Sequence, residues 1–285
     1  MLSTPICGRA RLETHVSATT NETATMGISV TAHATTHTKG NYTQLIASTA
    51  YESFGIFIQL AGLQTVASTN QRGLVDIAIG GAGVEVDLIP NLLCGNVADM
   101  GAAAGSGGAC YYFPIYIPAG VRVAARCQAS TTVDIINVAV RLFQFMIGPG
   151  DWVGSRVTAY GVNTAASNGT SHTPSQNAYA TATQLIASTT NPIKYMQLGF
   201  DLLADTTGAT SNYLARIGYG AGPTYLASEL PVQESTTIES VGFVSANFIL
   251  SHMRFNLPAA QSLHISAMRA AATPEARGFA VYGVD

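Results

Sequence analysis

The sequence predicts an all-β protein built as two tandem antiparallel β-sandwiches, jelly-roll-like, that arise from an internal duplication and follow an N-terminal arm. Three observations lead there. The hexapeptide QLIAST occurs twice, at Gln44–Thr49 and at Gln184–Thr189, 140 residues apart. Short apolar segments alternate with polar residues at period two, the signature of half-buried strands. Amphipathic helical spacing does not interrupt the series.

Other landmarks keep the same offset. Pro118 and Pro258, Val123 and Leu263, and Cys127 and Ala267 all stand 140 apart, while AIGGAG (78–83) is echoed by RIGYGAG (216–222) and Pro90 by Pro231 with a drift of a residue or two. Conserved order with small drift marks a tandem unit. The division is therefore an arm over 1–26, a first sandwich over 27–147 and a second over 152–285, with Gly148, Pro149 and Gly150 as the connector.

Within the first unit, strands are predicted over 27–34, 41–49, 54–61, 73–80, 84–90, 110–118, 121–128 and 133–143. In 121–128, Val121, Val123, Ala125 and Cys127 share one face, and Arg122, Ala124, Arg126 and Gln128 the other. Tyr111, Phe113, Ile115 and Ile117 face inward one strand earlier. Pro118, Ala119 and Gly120 make the turn between these strands, proline fixing φ and glycine taking a positive one. A change of phase between Ile135 and Ile136 predicts a bulge. Segments 62–72 and 92–109 read as long loops at the sandwich ends, the latter too rich in glycine for a stable helix. Eight short strands separated by turn chemistry argue for a jelly roll.

Composition narrows the function. The net charge is −3, which gives no electrostatic case for nucleic acid. Charged residues are only 10% of the chain against 47% hydrophobic ones. Such a surface is either neutral and hydroxyl-rich or covered by neighbouring subunits; low net charge favours association, hence the second. No apolar run is long enough for a membrane helix, and the first residues do not read as a secretory signal. The arm over 1–26 is either a docking element or a loose terminus. Cys7, Cys94, Cys110 and Cys127 show no metal-ligand spacing and read as free thiols of a reducing compartment, with a Cys94–Cys110 bridge left open.

No motif makes an enzyme. The glycine-rich stretches lack the lysine and the helix that a phosphate loop needs. His33 and His37 share a strand face but have no third ligand. Asp76, Glu85 and Asp87 cluster in sequence, which suits a solvated sheet edge better than a catalytic pair. No cofactor is expected. Tyr112 and Tyr116 point away from the core by parity and, with Arg122 and Arg126, are the candidate interface or ligand contacts. Asn256 stands in place of Tyr116 in the second unit, so the two units are not expected to bind alike.

VDIAIGGAGVEVDLIPNLL (75–93) and YYFPIYIPAGVRVAARCQAS (111–130), following YTQLIAST, resemble a module of tailed-bacteriophage virion surface proteins: head decoration, spike, fibre or tail-associated. The resemblance covers about 40–143 well and 180–285 more loosely. RFNLPAAQSLHIS (254–266) loses the first proline, the glycine and the arginines that correspond to Arg122 and Arg126. The resemblance implies a non-enzymatic structural protein of the virion, assembled in the host cytoplasm. Its implied partners are other capsid or tail proteins and copies of itself. The alternative is a receptor- or carbohydrate-binding module that contacts a host-surface glycan.

Overall fold

A computed structural model of the chain describes residues 12–15, 27–61, 71–96, 109–144, 152–202, 211–234, 254–270 and 276–285. The strands of the first unit are β1 (Leu12–His15), β2 (Ile28–Thr31), β3 (Thr43–Ile46), β4 (Gly55–Ala61), β5 (Gln71–Ile79), β6 (Val86–Asn96), β7 (Cys110–Phe113), β8 (Val123–Ala129) and β9 (Ile135–Phe143). One sheet runs β1-β9-β4-β7, with β2 also on β9; the other runs β3-β8-β5-β6. Every named pairing in them is antiparallel. Strands that alternate between two facing sheets in this order are the double Greek key of a jelly roll.

The second unit comprises β10 (Val157–Tyr160), β11 (Val162–Asn163), β12 (Asn168–His172), β13 (Ser175–Gln176), β14 (Thr183–Ile186), β15 (Ile193–Leu202), β16 (Ser211–Tyr219), β17 (Thr224–Glu234), β18 (Arg254–Leu257), β19 (Leu263–Arg269) and β20 (Arg277–Val284). Its sheets, β11-β12-β20-β15-β18 with β10 on β20, and β13-β19-β16-β17 with β14 on β19, repeat the order of the first apart from the short β11 and from β13, which pairs β19 in parallel. The chain is all-β, and no helix occurs among the described residues.

The correspondence reaches individual registers. β3 pairs β8 with a shift between Gln44 and Ile46, and β14 pairs β19 with a shift between Gln184 and Ile186. β5 and β16 carry matching irregularities at Val75/Ile77 and Ala215/Ile217. The repeated hexapeptide closes on a threonine with a structural task. Thr49, 2% exposed, accepts the Gly120 N–H on its carbonyl and the Val121 N–H on its hydroxyl. Thr189 does the same for Ala260 and Gln261. Gly120 takes φ +76° in this turn as predicted, and its counterpart Ala260 takes φ +62°.

Inner faces follow the predicted alternation. Val123, Ala125, Cys127, Tyr111, Phe113, Ile115 and Ile117 enter the first core, and Leu263, Ile265 and Ala267 the second. Three expectations change. The bulge at Ile135/Ile136 is absent, because β2 and β9 pair in continuous register and the phase break comes from Val133, at φ +50° in the preceding turn. Residues 92–96, read as loop, extend β6; residues 71–72 begin β5; the rest of both segments lies outside the described residues. Leu12–His15 of the expected arm form β1, a strand of the first sandwich. The remainder of 1–26 and the Gly148–Gly150 connector lie outside the described residues.

The two units share a seam. β20 is buried along both faces: Phe279 and Val281 enter the second core, while Ala280, Tyr282 and Val284 join the core of the first. A jelly-roll sheet normally keeps its outer face in water; this one is covered by the first sandwich.

Candidate functional site

Among the described residues the seam carries a run of polar contacts between the units, and it starts at an edge strand. β6 has a neighbour, β5, on one side only, so its outward backbone groups need other partners. Tyr282 of β20 supplies them. Its hydroxyl accepts the Leu93 N–H at 2.8 Å and donates to the Asn91 carbonyl at 3.0 Å. Tyr111 donates to the Leu93 carbonyl at 2.7 Å and meets the Tyr282 ring edge-on, centroids 5.4 Å apart. The other edge strand, β7, is closed likewise: Gln197 accepts the Tyr112 N–H at 3.0 Å, and Tyr195 donates to the Tyr112 carbonyl. Residue Gly154 bridges Ile115 in parallel and exchanges hydrogen bonds with Pro114 and Tyr116. Gln128, on the outer face of β8, donates to the Thr164 carbonyl and the Ser167 hydroxyl.

Asn91, at φ +56°, ties the seam to an ion network on the outer face of the β3-β8-β5-β6 sheet. Its N–H donates to Asp76 Oδ1. Asp76, 2% exposed, also pairs with Lys39 at 2.7 Å and with Arg126 at 2.8 Å. Arg126 reaches Asp87 with its other end and lies 4.5 Å over the Tyr42 ring, whose hydroxyl donates to Asp87. Burial pulls the Lys39 ammonium below its ordinary pKa, with Asp76 opposing. Burial and the hydrogen bond to Asp87 push the Tyr42 phenol up. Arg122 pairs with Glu85 and touches Gln44. The carboxylates expected at a solvated edge are thus drawn into ion pairs, because β8 sets Arg126 opposite Asp76 in register.

The four sequence candidates do not converge. Arg122 and Arg126 share the ion-network face, whereas Tyr112 sits on the other sheet at the seam, its ring edge-on to Phe143. Tyr116 is 41% exposed, tilted against Phe54, with its hydroxyl 3.4 Å from Glu52. His33 and His37 lie in a turn rather than on a strand. His33 Nδ1 accepts the Thr35 N–H, and His37 Nδ1 bonds the Ser167 hydroxyl across the seam. That Ser–His pair is no nucleophile and base, since Ser167 is fully buried. Among the described residues no three His, Cys, Asp or Glu side chains gather as metal ligands.

Cys94, Cys110 and Cys127 are unbridged, which settles the pairing the sequence left open; Cys7 lies outside the described residues. Burial pushes the Cys127 thiol up to about 12 and Cys94 higher, so neither is a thiolate near neutrality. Sequence reasoning missed Tyr282, Tyr195, Gln197 and Asp201. Asp201 is 3% exposed, one oxygen accepting the Gly169 N–H and the other without a hydrogen-bond partner; burial raises its pKa to about 7. Only a sheet polar on one parity and buried on both would have signalled them.

No protein-family model matches the sequence, and no curated protein matches it. A solved structure of PNGF-II is similar at a TM-score of 0.34 and 7% identity, over 90% of this chain and 65% of that one. The chain therefore spans less than two thirds of that structure's length. A likeness of this degree carries no argument about function.

Proposed function

We propose that the chain is a non-enzymatic structural component of a tailed-bacteriophage virion that assembles through charge-poor sandwich faces, with the N-terminal leader as a docking arm. The virion context rests on the resemblance of residues 75–93 and 111–130. Support for an assembly role comes from the outer face of the β1-β9-β4-β7 sheet. Phe57, Tyr112, Ala139 and Phe143 lie half-exposed on it, although the corresponding face of β15 and β20 in the second unit is buried. Half-exposed aromatic and aliphatic residues side by side on one sheet mark a contact surface. On the other sheet of the first unit, Lys39, Asp76, Glu85, Asp87, Arg122 and Arg126 are drawn into ion pairs with one another.

The reading is tested on particles purified by density gradient from a producing culture and analysed by peptide mass spectrometry. Many copies of the chain per particle are expected; particles without it contradict the proposal. A second reading, glycan binding, has one observation behind it: Tyr51 and Tyr116, 42% and 41% exposed, flank Glu52. A glycan array on which Tyr116→Ala abolishes a hit would favour that reading, and an empty array removes it.

A further inference from the structure

We propose that copies of the chain associate head to tail by repeating, between molecules, the contact that joins the two units. The outer face of the first unit's β1-β9-β4-β7 sheet packs on the outer face of the next copy's β14-β19-β16-β17 sheet. This deepens the assembly reading above and rests on it.

The intramolecular seam has two halves, and each has a counterpart left over at the opposite end of the chain. The covering half is the outer face of β15 and β20, with Gln197, Ala280, Tyr282 and Val284 all at 1% exposure or less. Matching ladders (Phe57 opposite Arg141, Gln197 opposite Tyr282) place Phe57, Ala139, Arg141 and Phe143 at those positions in the first unit. There Phe57, Ala139 and Phe143 are half-exposed and Arg141 is exposed. The covered half is the outer face of β5 and β8. Leu74 and Gln128 pair across it, 0% and 2% exposed beneath the second unit. Their counterparts Leu214 and Met268 form the same cross-strand pair and are both half-exposed. The glutamine that hydrogen-bonds Thr164 and Ser167 has become a methionine, so this patch is more apolar than the one already covered.

The hydrogen-bonding chemistry changes in step on both halves. Within the chain, Tyr282 both accepts from the Leu93 N–H and donates to the Asn91 carbonyl. Pro231 stands opposite Leu214 as Leu93 stands opposite Leu74, so the ladder makes its counterpart Leu93 rather than the Pro90 that the sequence aligned with it. Proline has no N–H, so at this position the edge offers only its carbonyl. The counterpart of Tyr282 is Arg141, a donor without acceptor capacity. An arginine facing the position where the edge has lost its donor is the complement the seam would need if the next unit belonged to another copy. Because the two surfaces differ, the contact is heterologous and each copy offers one of each.

The test is sedimentation of the full chain from micromolar to sub-millimolar concentration, with Phe57→Glu on one face and Leu214→Glu on the other. Both positions are half-exposed, and unfolding transitions like the wild type's confirm that the variants fold. Wild-type chain is expected to form oligomers. Each variant should weaken association roughly a hundredfold, the effect of forcing a carboxylate into an apolar contact. Mixing the two variants should restore a dimer of one each that grows no further, since one keeps its face and the other its patch. Val84→Glu, at a position 71% exposed in the β5–β6 turn, should change nothing.

A wild-type chain monomeric throughout overturns the proposal, whether its own leader or a different protein covers the face. So does association that survives either variant, or a mixture that stays monomeric. Particle composition is read separately. A chain found in particles but monomeric in solution sinks the head-to-tail contact and leaves the virion reading standing; head-to-tail oligomers absent from particles do the reverse.

Discussion

The outer faces of β5 and β16 solve one problem in two ways. Asp76 and Arg216 are counterparts in the ladder, opposite Arg126 and Ser266 respectively. In the first unit the position is acidic and compensated by Lys39 and Arg126. In the second it is a guanidinium between two rings, 3.9 Å from the Tyr179 centroid and 3.8 Å from that of Tyr225. The rings satisfy its faces, while its Nε is buried without a hydrogen-bond partner. The inner faces and the Thr49/Thr189 turns are alike because one core and one hairpin geometry constrain both. The outer faces differ because their surroundings differ: Asp76 also fixes Asn91 at the seam, a duty for which the second unit has no covering partner within the chain.

This contrast predicts unequal costs. Asp76→Ala strands a largely buried Lys39, loosens Arg126 and orphans the Asn91 N–H. It should cost about 3–5 kcal/mol in urea unfolding, the range for breaking a buried ion pair. A loss below about 1 kcal/mol would reduce the network to surface decoration. Arg216→Ala removes only stacking and should cost about 1–2 kcal/mol.

Asp201 lies on the buried outer face of β15, and its effect is a pH dependence. Its pKa is about 7 folded and near the ordinary carboxylate value unfolded, so the folded state holds the extra proton between them. Stability from this group is full at low pH and falls as pH rises through that window. Relative to wild type, Asp201→Asn should therefore gain stability progressively from about pH 4 to 7, reaching a few kcal/mol above it. A difference that does not change with pH would contradict an unpaired carboxyl there. Tyr282→Phe deletes an acceptor and a donor at a buried edge and should cost about 2–3 kcal/mol. It should also split thermal unfolding into two transitions as the units uncouple; a single unchanged transition would argue against a seam that couples them.

Much of this architecture was legible in the sequence. Period-two alternation located eight of the nine strands of the first sandwich, missing β1 within the expected arm, and the QLIAST repeat anticipated a second sandwich. The seam was not legible. Tyr282, Gln197 and Asp201 read as ordinary outward positions, because parity separates two faces of a strand without saying that both are buried. Residues 92–96 read as loop for the same reason: Leu92 and Leu93 face opposite ways, and only the second unit explains why both are covered. Arg122 and Arg126 read correctly as outward by parity, but their carboxylate partners are far along the sequence and come close only through strand pairing.

The smallest contrast is at the equivalent turns. Gly120→Ala should lose about 1 kcal/mol and Ala260→Gly gain about as much, since both positions hold a left-handed φ. Opposite signs support equivalent turns, and equal signs would separate them.

Hydrogen exchange of the wild-type chain at the Leu93 and Tyr112 amides tests the central claim most directly. Both belong to edge strands, and both donate to side chains of the second unit. Protection comparable to the interior strands β5 and β4 is predicted if the two sandwiches form one body. Exchange at the rate of an open sheet edge would mean that they do not, and the seam would lose its role.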